Sequence, residues 1–157
     1  MATLTIHQWS HREQGLRELR RVTRGPVVIL TFDGSMLNRF WLFEYAPELI
    51  HAEQHRFPPI ESIGALLGGT TRIETIHLAP DCTDGFTEAF FARPERLLDP
   101  AVRRSQSAWN FVPPAVQERF AATLAADLKS GRWDALHGHY RSMATFPSAL
   151  RLIVNIP

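Results

Sequence analysis

The chain has 157 residues, of which 45% are hydrophobic and 21% charged. That length and balance suit one globular domain and exclude a disordered or low-complexity chain. Seventeen basic against sixteen acidic side chains leave a formal charge of +1, which gives no electrostatic ground for nucleic acid or an anionic membrane as partner. Cys82 is the only cysteine, so an intramolecular disulfide is impossible and a cytoplasmic, reducing setting fits best. Met1 is followed by polar alternation instead of a basic start and a long apolar run, and the apolar runs are about five residues at most, far short of a membrane span.

In chain order, Ala2 to Ile6 alternates apolar and threonine residues and reads as a short strand. Ser10 and Glu13 have the spacing of a capping box ahead of a helix from His11 to Thr23, whose Leu16, Leu19 and Val22 share a face. Gly25 and Pro26 end that helix. Val27 to Phe32 is a nearly continuous, branched apolar run, the pattern of a strand buried on both faces, and Asp33 and Gly34 close it. A strand, a helix and a strand within 33 residues predict a right-handed crossover and an α/β sheet. Ser35 to Tyr45 carries Met36, Leu37, Phe40, Trp41 and Phe43, enough apolar bulk to pack on two surfaces.

Pro47 permits a new helical start, and Phe57, Pro58 and Pro59 break the chain before a short helix with Ile60, Ile63, Leu66 and Leu67, capped by Gly68 and Gly69. Thr71 to Leu78 reads as the third strand, ended by Pro80. A helical region of roughly 65 residues follows, divided at Pro94, Pro100 and Pro113–Pro114. Its clearest helix runs from Pro114 to Ser130, with Val116, Phe120, Leu124 and Leu128 spaced by four and Gly131 after its end. Leu150 to Ile156 is the last strand. The expected organisation is one domain over residues 1–157: a strand–helix–strand unit at 1–34, a helical segment at 35–70, a strand at 71–79, a helical cap at 80–148 and a final strand at 149–157.

These elements and several local strings resemble the C-terminal half of a class I S-adenosylmethionine-dependent methyltransferase of the small-molecule type. LTIHQW at Leu4–Trp9 looks like the family's fourth strand and the turn after it. LRELRRVTRGPVVILTFD at Leu16–Asp33 looks like the next helix and fifth strand. FPPIESIGALLGG and TRIETIHLAPDCTDGF resemble the following helix, the sixth strand and a substrate-side loop, and ALRLIVNIP suits the antiparallel seventh. The resemblance implies a partial Rossmann-like sheet of about four strands. Their spatial order would be first, second, fourth, third, with the last strand antiparallel, an apolar face toward the missing half, and a helical cap.

The family's glycine-rich turn and ribose-binding carboxylate lie upstream of its fourth strand, and this chain has neither. Gly68–Gly69 follows a helix and precedes a strand, the reverse of the order a nucleotide-binding turn needs. The resemblance therefore implies a substrate-side half that binds S-adenosylmethionine weakly or not at all alone and methylates a small molecule only when completed. The completing element would be an N-terminal partner chain, the rest of a longer gene product of which this chain is a fragment, or a second copy of the chain. The alternative is a non-catalytic dimerisation or ligand-binding domain on the same scaffold. The first strand, lacking its usual neighbour and presenting Leu4 and Ile6 on one face, predicts a homodimer through this edge and the helix at His11–Thr23.

By the resemblance, His7 and Trp9 line the cofactor pocket, at the strand end where α/β folds bind ligands. Against that, a histidine at a strand end is equally often a packed residue. Asp33, Trp41, Asp81 and Asp84 are the candidates for the substrate pocket. Asp33 would otherwise serve the turn with Gly34, and Asp84 a helix cap ahead of Phe86. Cys82 in the same loop reads as an inert thiol. His137 and His139 would splay apart on a helix, and no metal is expected. Phe86, Phe90, Phe91, Trp109, Phe111 and Trp133 read as the core of the cap or the wall of an apolar pocket.

Overall fold

The computed structural model describes residues 1–157. Four strands, β1 (Ala2–Thr3), β2 (Val27–Phe32), β3 (Thr70–Leu78) and β4 (Phe146–Ile156), form one mixed sheet in the order β1-β2-β4-β3. β1 runs parallel to β2, with Ala2 opposite Ile29. β4 runs antiparallel to β2, with Val27 opposite Asn155 and Phe32 opposite Leu150. Both the order and the direction of the last strand are those expected. The helices are α1 (Arg12–Val22), α2 (Leu42–Tyr45), α3 (Pro47–Arg56), α4 (Ile60–Leu67), α5 (Pro100–Arg104), α6 (Pro114–Ser130) and α7 (Arg132–His137), joined in places by 3-10 turns. No helix is long and apolar enough to cross a membrane.

The chain forms two compact units. The first comprises Met1–Met36, Gln54–Ile76 and Ala149–Pro157. Its core follows from alternation along the strands, which sends every second side chain to the same face. Val27, Ile29 and Ile153 meet Leu16 of α1 and Ile60, Ile63 and Leu67 of α4 in one apolar cluster, with Ala2 and Ile6 at its edge. The helical residues are spaced three and four apart, so each helix presents one stripe to the sheet. On the opposite sheet face, Val28 pairs with Val154 and Leu30 with Leu152. All four are half-buried, so this face is apolar as well.

Asn155 locks the outer end of this cluster. It is fully buried, donates to the Gly68 carbonyl at 2.5 Å and to Thr71 Oγ1 at 2.9 Å, and accepts from Arg20 Nη1 at 3.2 Å. One amide thus ties α1, the α4–β3 turn and β4 together. Gly69 has φ +59, and a Cβ there would lie 2.1 Å from the Ile156 carbonyl oxygen, so only glycine lets β4 pass this close.

Several expectations change. The first strand ends at Thr3, because Leu4 adopts φ 50; its N–H still reaches the Leu30 carbonyl at 2.8 Å. Ile6 then begins a 3-10 turn (Ile6–Gln8) and is wholly buried. Leu4 and Ile6 therefore do not share an exposed strand face, and the edge proposed to carry a dimer is a two-residue strand. The capping box does not form: His11 is the N-cap of α1 with no side-chain cap bond, and Glu13 pairs instead with Arg17 at 3.2 Å on the surface. The apolar segment Ser35–Tyr45 is built as a 3-10 turn (Gly34–Arg39) followed by α2.

The second unit comprises Leu37–Glu53 and His77–Ser148. Trp41 is 2% exposed and donates its indole N–H to the Phe91 carbonyl at 3.2 Å. Its ring meets Trp133 edge-on at 5.5 Å, and Phe91 stacks on Phe146 at 5.1 Å. α6 buries Val116, Phe120 and Leu124 and ends at Gly131 with φ 78, as its spacing foretold. Trp109 packs on Phe120 at 4.8 Å. Phe111, expected in this core, is 56% exposed, since it ends a 3-10 turn (Ser107–Phe111) that aims Ala108 and Trp109 inward.

Asn155→Ala should destabilise the protein by about 2 kcal/mol in urea unfolding, because it removes the hydrogen bonds that a fully buried amide makes to Gly68, Thr71 and Arg20. A change near zero would mean that the α4–β3 turn is held by its backbone alone.

Candidate functional site

Ligands of open α/β sheets bind beyond the carboxyl ends of the parallel strands. In this chain that edge is formed by the turn after β1 and by Asp33 after β2. His7 lies within the 3-10 turn, half-buried. Its ring contacts Phe57 at 4.8 Å, and Phe57 in turn contacts Phe32 at 5.3 Å. Phe57 is placed here because Pro58 and Pro59 stop α3 from continuing, which turns the chain back over the sheet edge.

Two arginines approach the histidine. Arg12, the first residue of α1, donates through Nη2 to the Arg56 carbonyl at 3.2 Å. Burial and then the positive fields of Arg56 and Arg12 pull the His7 pKa from 6.5 down to about 4, so the ring is neutral at physiological pH. His7 Nδ1 and Arg12 Nε are both buried and neither has a hydrogen-bond partner.

Trp9 leaves the strand end and lies against α1. A Cβ on Gly15 would come within 2.5 Å of its ring, so the glycine inside α1 makes room for the indole at a helix cost of about 1 kcal/mol. Gln8, Trp9, Ser10, His11, Gln14 and Glu18 border a shallow, open depression there. Trp9 thus faces this depression and the core cluster.

Asp33 serves its turn. Oδ1 accepts from Ser35 N–H at 3.1 Å and from Ser35 Oγ at 2.6 Å, and Oδ2 lies 3.7 Å from Arg151 Nη2. In the second unit, Trp41 belongs to the core described above, its single polar atom already bonded. Asp81 and Asp84 are exposed on a loop held by Arg93, which donates to the Cys82 carbonyl at 2.6 Å and the Ala89 carbonyl at 2.9 Å. Asp84 does not cap the next turn; that position falls to Phe86. His137 is buried among Trp133, Trp41 and Tyr45, and His139 stacks on Tyr140 at 4.2 Å.

Of the six residues singled out in the sequence, His7 and Asp33 lie at the carboxyl edge of the parallel strands. Arg12, Arg56 and Phe57 were not singled out. Arg12 reads as a solvated helix residue, and Arg56 and Phe57 are some fifty positions from His7. The available signal was the shortness of the link: only four residues separate His7 from Arg12, which keeps the start of α1 close to the strand end.

The chain matches a solved structure from Anabaena variabilis ATCC 29413, provisionally described as a methyltransferase from an antibiotic biosynthesis pathway, with a TM-score of 0.90 and 30% sequence identity. The match covers 99% of this chain and 64% of that one, so the chain spans just under two thirds of the neighbour's length. No protein-family model and no curated protein matches it. The scaffold is methyltransferase-like: a mixed four-stranded α/β sheet of Rossmann-like topology.

S-adenosylmethionine, the cofactor such a scaffold suggests, does not fit the residues of this chain by themselves. The paired glycines lie between α4 and β3, where Gly69 is closed over by the Ile156 carbonyl and the Gly68 carbonyl accepts from Asn155. Asp33 is engaged by Ser35 and Arg151.

Because folding holds His7 neutral where the unfolded chain would protonate it, its contribution to stability is complete above pH 6.5 and is lost as pH falls toward 4. For a half-exposed ring the loss should be about 1 kcal/mol after solvent screening. His7→Phe keeps the ring contact and cannot titrate. Urea unfolding at pH 7 and pH 4.5 should show a smaller acid loss in this variant than in the parent, and equal losses would remove His7 as the titrating group.

Proposed function

We propose that the chain is the C-terminal, substrate-side half of an S-adenosylmethionine-dependent methyltransferase, transferring a methyl group to a small molecule once a cofactor-binding half completes it. The observation that carries this reading is the sheet order β1-β2-β4-β3 with β4 antiparallel inside it, shared over nearly the whole chain with a protein described as a methyltransferase. The shortfall against that protein's length supports the need for completion.

Methyl transfer from a sulfonium depends on in-line positioning and exclusion of water more than on any one catalytic side chain. In this reading His7, Phe57 and Phe32 form an aromatic floor at the strand ends, and the imidazole, kept uncharged by burial and the two arginines, can accept a hydrogen bond that orients an acceptor hydroxyl or amine. Asp33, with Ser35 and Arg151, fixes the turn that bounds the floor. The completing half supplies the cofactor's contacts, whether from a further part of a longer product, a partner chain or a second copy.

Calorimetric titration of the 157-residue chain with S-adenosylmethionine should show no micromolar affinity. A chimera carrying the parts of the Anabaena variabilis protein that the chain does not cover should gain that affinity, together with methyl transfer. Micromolar binding by the chain alone would overturn the half-site reading, and a folded chimera that binds no cofactor would favour a non-catalytic scaffold.

A further inference from the structure

The two outer strands of the sheet differ in what they offer a partner. β1 is two residues long, whereas β3 runs for nine, from Thr70 to Leu78. β3 pairs with β4 on one side, and no strand of the chain takes the other. A long outer strand is a template for a further strand, and proteins ordinarily blunt it with proline, lysine or a bulge. β3 contains neither proline nor lysine, and its isoleucines and threonines favour extended pairing.

The side chains of β3 select one register with a copy of itself. Alternation puts Arg72 and Glu74 on one face of the strand and Thr71, Ile73 and Thr75 on the other. Arg72 and Glu74 form an ion pair at 2.7 Å with 74% and 43% of their side chains exposed, and Ile73 is 45% exposed. Two copies joined edge to edge about a two-fold axis keep each residue on its own face, so the pairing must be centred on a residue and not between two. Centred on Ile73, antiparallel pairing sets Arg72 opposite the partner's Glu74, Glu74 opposite the partner's Arg72, and Ile73 opposite its own copy. Thr71 then meets the partner's Thr75. Centred one residue earlier or later, the same strand opposes arginine to arginine or glutamate to glutamate, which is unfavourable.

We propose that the outer edge of β3 docks a second copy of this chain, antiparallel through residues 71–75 and centred on Ile73, joining two four-stranded sheets into one. All five residues belong to the first unit. Charge complementarity supplies the register, and the Ile73 pair and the threonine pairs supply contact on the opposite face. So short a ladder falls below the roughly 1,200 Å² of a standard interface, and the dimer is weak, with a dissociation constant on the order of 100 μM. The inference goes beyond the proposed function and does not depend on it, since β1 lies at the other edge of the sheet and each copy keeps that edge for its completing half.

Sedimentation velocity of the chain from about 10 μM to about 1 mM should show monomer giving way to dimer. Arg72→Glu and Glu74→Arg each gather four like charges around the axis, and each should raise the dissociation constant at least about tenfold. The double variant Arg72→Glu/Glu74→Arg exchanges the charges and should return it to within about threefold of the parent. The two single variants, mixed in equal amounts, should form a heterodimer, because the acidic strand of one then faces the basic strand of the other. That recovery also shows that neither single variant has lost its fold. A parent chain still monomeric at about 1 mM would overturn the proposal and leave this edge to a strand of a different chain. Single variants that dimerise as tightly as the parent, or a double variant and a mixture that both stay monomeric, would overturn it as well.

Discussion

The structure depends on β4 lying inside the sheet. Six consecutive residues of β2, Val27 to Phe32, find partners on β4 from Asn155 back to Leu150, while β3 takes its other side. Without β4, both β2 and β3 would present open backbone edges, and the cluster under α1 and α4 would lose Ile153. The antiparallel direction also fixes which residues face inward. It places Ile153 opposite Ile29 in the core and leaves Leu152 and Val154 on the other face, since a shift of one residue would exchange the two sets.

The parts legible in the sequence were those written as continuous apolar pattern. Val27–Phe32 reads as a doubly buried strand without any homologue, and ALRLIVNIP was placed correctly because its resemblance to a closing strand included its direction. Helix α6 was legible for a similar reason, with three inward residues spaced by four and a glycine stop. The first seven residues were misread because local alternation favours a strand through Ile6, whereas the cluster beneath α1 draws Ile6 in and the chain bends at Leu4 to deliver it. Tertiary burial of one isoleucine overrode a weak local preference.

The site was less legible than the fold. His7 was accessible through its place at a strand end, but its character comes from Arg12 across a helix start and Arg56 across a proline-stopped helix, and neither is encoded by spacing. The Ser10–Glu13 pair misled in the same region. Its capping pattern predicts a helix start neutralised by acceptors, whereas the start that forms begins one residue later and presents a bare, basic end. A favourable local motif is thus left unused at the helix end beside the carboxyl ends of β1 and β2.

The first unit is assembled from three stretches, Met1–Met36, Gln54–Ile76 and Ala149–Pro157, and one of the two inner strands of the sheet, β4, is the last of the four in chain order. During synthesis β2 therefore leaves the ribosome more than a hundred residues before its antiparallel partner. Through that interval Val28, Leu30 and the backbone edge of β2 have no native mate. Closing so long a loop is entropically slow, and exposed strand edges are the usual nuclei of misassociation. Premature termination anywhere before Leu150 would release a chain unable to finish its sheet, so this fold makes its own final strand the checkpoint for the solubility of everything made before it.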